Sequence, residues 1–157
     1  KLVPVPDGVG WELAAALQLQ GSTAHYLTHS LFPLQAGQTC LVHAGAGGVG
    51  QLLIQLARLR GARVLATVGS QDKARIARAR GADAAIIRCL RRRGTCVMFG
   101  AASGQVEGIA PLELAEAGSV FFTRPHLADY VEAHEGCERD AGLFRMVAGG
   151  RLQVAID

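Results

Sequence analysis

The run Gly45-Ala46-Gly47-Gly48-Val49-Gly50 constrains this chain more than any other segment, because of what flanks it. Before it, Thr39-Cys40-Leu41-Val42-His43 reads as a buried strand, introduced by the turn residues Ala36-Gly37-Gln38. After it, Val49, Leu52, Leu53, Leu56 and Ala57 fall at i, i+3, i+4, i+7 and i+8. That spacing is one apolar face of a helix, which runs to Arg60 and stops at Gly61. A lone G-x-G-x-x-G is a weak signal, but strand, turn and helix in that order make it a dinucleotide-binding turn. Gly45 permits the tight turn, Gly47 lets the backbone approach a pyrophosphate, and Gly50 lets the helix lie close to the strand. Gly48 and Val49 open the helix, whose unpaired N–H groups and partial positive charge suit phosphates.

The rest of the chain alternates β-branched runs with amphipathic ones, the α/β pattern. Lys1–Val9, with Pro4 and Pro6, is an extended lead-in. Trp11–Leu19 and Ser22–Leu31 read as two short helices broken at Gly21. Strands are expected at Arg63–Val68, Ala84–Ile87, Thr95–Gly100 and Ser119–Thr123, and a helix at Asp72–Arg80. Leu127 to Ala148 reads as helix interrupted at Gly136 and Gly142, and Leu152, Val154 and Ile156 alternate as a final strand. One junction breaks the pattern. Seven residues separate Ile87 from Thr95, whereas a parallel crossover needs about a dozen or more. Either these strands are not parallel neighbours, or a segment is missing between Arg88 and Cys89.

Composition narrows the function classes. Half of the 157 residues are hydrophobic and 18% are charged, which excludes a disordered or charged linker protein. The net charge of +3 is too weak to argue for nucleic acid. No apolar run is long enough to span a bilayer. The four cysteines contain no C-x-x-C pair, so a zinc knuckle is disfavoured. Cys40 and Cys96 read as buried thiols, and a reducing cytoplasm fits them.

The cofactor's identity is read at the tip of the second strand, where an acidic residue would bind a ribose 2′-OH. Here Val68 is followed by Gly69-Ser70-Gln71, with no acid. Ser70 can hydrogen-bond a 2′-phosphate and Lys73 can neutralise it, which favours NADP(H), while Asp72 is better placed as the N-cap of the next helix. His25 and His29 have metal-ligand spacing but no third partner, and read as ordinary helix residues. His43 reads as a satisfied core histidine, and Phe121 and Phe122 as core packing. Arg91-Arg92-Arg93 could meet nucleic-acid phosphates, but reads first as a solvated helix end.

Several runs resemble, in order along nearly the whole chain, the zinc-free quinone oxidoreductases of the medium-chain dehydrogenase/reductase superfamily. They are Gly21-Ser22-Thr23-Ala24-His25-Tyr26-Leu27, then Val42 through Gly50, then Thr67-Val68-Gly69-Ser70. Cys89-Leu90-Arg91-Arg92-Arg93-Gly94, Phe99-Gly100, Gly118-Ser119 and Thr123-Arg124-Pro125 follow. The resemblance implies a Rossmann-type doubly wound parallel sheet in the order 3-2-1-4-5-6, with one strand and about thirty residues missing between Arg88 and Cys89. It implies that residues 1–157 are the NADP(H)-binding domain, and that a GroES-like substrate domain preceding it is absent from this chain. Thr23, Phe99, Gly100, Thr123 and Arg124 would line the nicotinamide end, and Arg88 would take the place of a tyrosine at the adenosine end. The implied reaction is hydride transfer from NADPH to a quinone or similar electrophilic carbonyl, without zinc and with no catalytic acid or base named. The expected partners are a small quinone or enone and a second copy of the chain, with no membrane or nucleic acid. An enoyl reductase on the same scaffold, a nucleotide-binding module without turnover, and RNA binding through Arg91–Arg93 remain the alternatives.

Overall fold

The computed structural model describes residues 3–82, 92–100, 108–130 and 133–156, and of 133–137 the backbone alone. In chain order the elements are α1 (Trp11–Tyr26), a π-helical stretch (Leu27–Leu31), β1 (Thr39–Val42), α2 (Gly48–Leu59), β2 (Arg63–Ala66) and α3 (Gln71–Ala79). Then come β3 (Thr95–Val97), α4 (Pro111–Glu116), β4 (Phe121–Thr123), a 3-10 turn (Leu127–Tyr130) and α5 (Ala133–Ala148). They divide into two units, Lys1–Ile87 with Tyr130–Asp157, and Arg88–Asp129.

In the first unit β1 and β2 pair in parallel, from Thr39 opposite Arg63 to Val42 opposite Ala66, with α2 as the crossover. The helix buries more than the one expected face: Ile54 is as inaccessible as Leu52, Leu56 and Ala57. Strands, α1 and α3 all pack against it. Gly61, in the left-handed region at φ +75°, ends it as expected and donates its N–H to the Arg58 carbonyl at 2.8 Å. Ser70 caps α3, its extended backbone placing the hydroxyl to accept the Lys73 N–H at 3.3 Å. Asp72, expected in that role, instead lies in the first turn and pairs with Arg75 at 2.8 Å on the surface.

The expected break at Gly21 does not occur. A Cβ there would lie 2.7 Å from Leu17 Cδ1 and 3.2 Å from Leu143 Cδ1, so this glycine makes room for α5 inside a continuous helix. Where α1 passes into its wider final turn, the Thr28 hydroxyl donates to the Ala24 carbonyl at 2.8 Å. Between α1 and α5, Asp140 accepts from Ser22 Oγ at 2.6 Å and from Gln18 Nε2 at 2.9 Å. Helix α5 runs uninterrupted through Gly136 and Gly142, contrary to expectation, and buries Leu143 and Phe144. No strand forms at Leu152–Ile156. The Gln55 carboxamide meets both the carbonyl and the N–H of Gln153, at 2.9 and 2.8 Å, doing for that segment what a strand partner would.

In the second unit β3 and β4 pair in parallel, Thr95 opposite Phe121 and Val97 opposite Thr123. The intervening α4, with Pro111 at its start, has no counterpart in the sequence reading, since six residues are too few to show a period. Phe122 is half-buried, but Phe121 is 60% exposed, which corrects its assignment to the core. Arg92 and Arg93 form a turn before β3 rather than a helix end, with Arg93 N–H donating to the Gly118 carbonyl at 2.7 Å. The two pairings are the 2-1 and 5-6 neighbours of the expected order. The predicted strand Ala84–Ile87, Arg91 and the Arg88–Cys89 junction lie outside the described residues.

Candidate functional site

The glycine-rich turn opens at the carboxyl end of β1. Its left-handed residue is Ala44, at φ +53°, and not Gly45. Gly45 is buried, and its role is packing: a Cβ there would lie 2.7 Å from Ala66 Cβ and 3.6 Å from Ala77 Cβ. Its N–H donates to the Thr67 carbonyl at 3.0 Å, which ties the turn to the end of β2. Gly50 has the expected function, because a Cβ there would strike the Ala44 carbonyl oxygen and lie 2.9 Å from Gly45 Cα. Gly47 is exposed, with its N–H on the Ala44 carbonyl at 2.9 Å.

Gln51 is the first residue of α2 whose N–H finds a helical acceptor, the Gly47 carbonyl at 2.8 Å. Among the described hydrogen bonds the N–H groups of Gly48, Val49 and Gly50 have none. No side chain caps this end, and its first turn contains no acid. Three unpaired donors at a positive dipole end fit a pyrophosphate.

Two glutamines missed in the sequence brace this turn. The Gln20 carboxamide lies where a Cβ on Gly48 would stand. Gln51 is buried, its Nε2 donating to the Ala46 carbonyl at 2.9 Å while its Oε1 accepts from Arg80 Nε at 2.9 Å. Gln51, a polar residue in the first turn of a largely apolar helix, was the one available signal. His43 is exposed, because β1 ends one residue before it, and the core reading is corrected. Its Nδ1 lies 2.9 Å from Thr67 Oγ1 across the two strand ends.

Ser70 and Lys73 follow the carboxyl end of β2, both exposed. The Ser70 hydroxyl accepts from the Lys73 N–H and keeps its own proton to donate. Thr23 is half-buried on α1, one helical turn beyond Gln20. In the second unit Phe99, Gly100, Thr123 and Arg124 gather at the carboxyl ends of β3 and β4, which the Met98 N–H joins by donating to the Thr123 carbonyl at 3.0 Å. Arg124 donates to the Pro125 carbonyl at 3.2 Å. Each unit thus presents its own group of predicted residues, and Arg88 lies outside the described ones.

The His25 and His29 rings stack face to face, centroids 3.9 Å apart, rather than converging on a point. Burial, then the charges of His29, Arg139 and Arg60, push His25 down to about 4. Burial and Arg60 lower His29 as well. Among the described residues no three His, Cys, Asp or Glu side chains form a metal-binding group. Cys40 and Cys96 are half-buried rather than buried, and burial pushes the Cys96 thiol up. No helix among the described residues is long and apolar enough to cross a membrane.

No family model matches the chain. A quinone oxidoreductase of Pseudomonas aeruginosa is 34% identical over 193 aligned positions, covering 100% of this chain and 59% of its own length. A 2-haloacrylate reductase of a Burkholderia species is 32% identical, over 99% and 59%. Among solved structures, mycobacterial Rv1454c complexed with NADPH is 36% identical, with a TM-score of 0.90, covering 96% of this chain and 58% of that one. Quinone oxidoreductase of Escherichia coli, also complexed with NADPH, is 31% identical with a TM-score of 0.91, over 98% and 58%. The chain therefore spans just under three-fifths of these proteins. The Pseudomonas alignment exceeds the chain's 157 residues by 36 positions. With parallel β-α-β units, the glycine-rich turn and these likenesses together, the chain belongs to the quinone oxidoreductase family of the medium-chain dehydrogenase/reductase superfamily and has its Rossmann-type fold.

Proposed function

We propose that this chain is the NADPH-binding part of a zinc-independent reductase acting on a quinone or a similar electrophilic carbonyl. The observation that carries the reading is the first turn of α2, where three backbone donors have no partner among the described residues, beside a turn that only glycine's missing side chains allow. When bound, the nicotinamide cofactor supplies the hydride. The chain's own residues bind, orient and shield it. Gly48, Val49 and Gly50 would hold the pyrophosphate through their N–H groups. Ser70 and Lys73 would take the 2′-phosphate, since no acid stands at the tip of β2 to prefer a free ribose hydroxyl. Thr23, Phe99, Gly100, Thr123 and Arg124 would line the nicotinamide end. The NADPH in the two neighbouring structures supports the cofactor, and the absence of zinc from the reaction rests on the resemblance to the zinc-free branch of the family. In this reading residues 1–157 form the cofactor domain, and the part of the relatives that this chain does not match covers the substrate. A homodimer in a reducing cytoplasm belongs to the same family-based reading, and sedimentation tests the dimer.

Titration with the two reduced cofactors tests the proposal directly. NADPH should bind more tightly than NADH. Equal affinity overturns the 2′-phosphate assignment, and binding of neither overturns the dinucleotide reading itself. The likeness to 2-haloacrylate reductase favours a second reading, reduction of a carbon–carbon double bond conjugated to an acyl group. Relative rates on a benzoquinone and on an enoyl thioester separate the two. Binding without turnover of either leaves a nucleotide-binding module.

A further inference from the structure

A second concave site lies in the first unit at the far end of α2. The helix has twelve residues, so this end stands roughly 17 Å along the axis from the glycine-rich turn. The space is a cleft of about 370 Å³ bounded by His29, Leu34, Leu59, Arg60, Met146 and Arg151 among others. That is within the range of small-ligand pockets.

Its chemistry is two-sided. Leu34, Leu59 and Met146 supply apolar lining, and Leu59 is 43% exposed. Two arginines, Arg60 and Arg151, also line the cleft. Arg60 donates from Nε to the Leu34 carbonyl at 2.6 Å, which fixes the plane of its guanidinium and leaves both terminal nitrogens available. Among the described residues neither Arg60 nor Arg151 has a carboxylate partner. One guanidinium held in place and one exposed, neither with a carboxylate partner among the described residues, beside apolar side chains match an anionic head on an apolar tail.

We propose that this cleft binds a small organic anion, its carboxylate or phosphate gripped by Arg60 and Arg151 and its apolar tail laid against Leu34, Leu59 and Met146. The neighbouring His29 is kept neutral near pH 7 by burial and by Arg60, so it adds no competing charge. Occupancy is independent of the dinucleotide, whose proposed phosphate donors lie at the other end of the same helix.

Calorimetric titration of the 157-residue chain with octanoate, octyl phosphate, octanol and inorganic phosphate tests the site. Octanoate or octyl phosphate should bind more tightly than either octanol or inorganic phosphate, and which of the two wins identifies the head group. Arg151→Gln, an exposed change, should weaken the better ligand about tenfold, and Arg60→Gln at least as much. Because Arg60 also holds the Leu34 carbonyl, its variant is read only beside an unchanged melting profile, and Arg151→Gln stands alone if that profile shifts. Saturating NADPH and Lys73→Ala should leave this binding unchanged. Inorganic phosphate binding as well as the tailed anions, indifference to Arg151→Gln, competition with NADPH, or no binding of any tailed anion would each overturn the proposal.

Discussion

At the scale of single residues, function rests on what is absent from a side chain as much as on what is present. Gly50 has neighbouring backbone where a Cβ would go, and backbone cannot swing aside. Gly50→Ala should therefore destabilise the fold by about 1–3 kcal/mol or more and abolish cofactor binding, read from urea denaturation and titration. Lys73 is exposed and touches nothing that the fold needs. Lys73→Ala should leave stability unchanged while lowering the NADPH-over-NADH preference by about 1.5–3 kcal/mol, the worth of one charge-assisted phosphate contact. An unaltered preference would remove Lys73 from the site. His25 makes a statement about pH. Its ordinary pKa of 6.5 is lowered to about 4 in the folded chain, so the unfolded chain takes up the proton first. Stability is complete above 6.5 and is lost as pH falls from there through about 4. The melting temperature should fall across that window and His25→Gln should flatten the fall; a parent protein whose melting temperature is level from 6.5 to 4 contradicts the assignment.

Between elements, polar side chains settle contacts that hydrophobic pattern leaves open. Helices α1 and α5 meet through Gly21 on one and Leu143 on the other, with the Ser22–Asp140–Gln18 cluster alongside. Asp140 is buried, so its hydrogen bonds replace water that it has lost. Ser22→Ala should cost about 1.5–3 kcal/mol, the range for a bond to a charged group. The double change Ser22→Ala, Asp140→Leu should recover part of that loss, since no buried carboxylate then remains. Chemical denaturation of both variants checks the pair, and a double variant no more stable than Ser22→Ala refutes this account. The Gln55–Gln153 pair shows the same principle at the C-terminal segment, where one carboxamide meets both polar groups of a backbone residue.

For the whole molecule, the proposed chemistry requires a nicotinamide ring screened from water. This chain spans 59% of the length of its Pseudomonas relative, and in the proposed reading the screen lies in the unmatched share. The 157-residue chain should bind NADPH yet reduce quinones far more slowly than a relative of full length. Quinone reduction by this chain at the relative's rate, followed by loss of reduced-nicotinamide absorbance, would show that the substrate site is misplaced.

The sequence by itself determined the glycine-rich turn and the β1-α2-β2 unit around it, because both depend on local spacing: glycines fixed between a strand and a helix, and apolar residues at period 3.6; the family was legible only as a resemblance, through several short motifs in order along the chain. Local spacing also located Ser70 and Lys73, which follow directly from the end of β2. Only the tertiary structure decided that Gly21 sits inside a helix, since the reason is Leu143, 122 positions away in the chain. It moved the left-handed backbone from Gly45 to Ala44, gave Gly45 a packing role against Ala66 and Ala77, and placed Gln20 and Gln51 around the turn. It also replaced the expected last strand by a side-chain clasp. In each case the deciding partner comes from elsewhere in the chain, and a residue's own neighbours in sequence carry no trace of it.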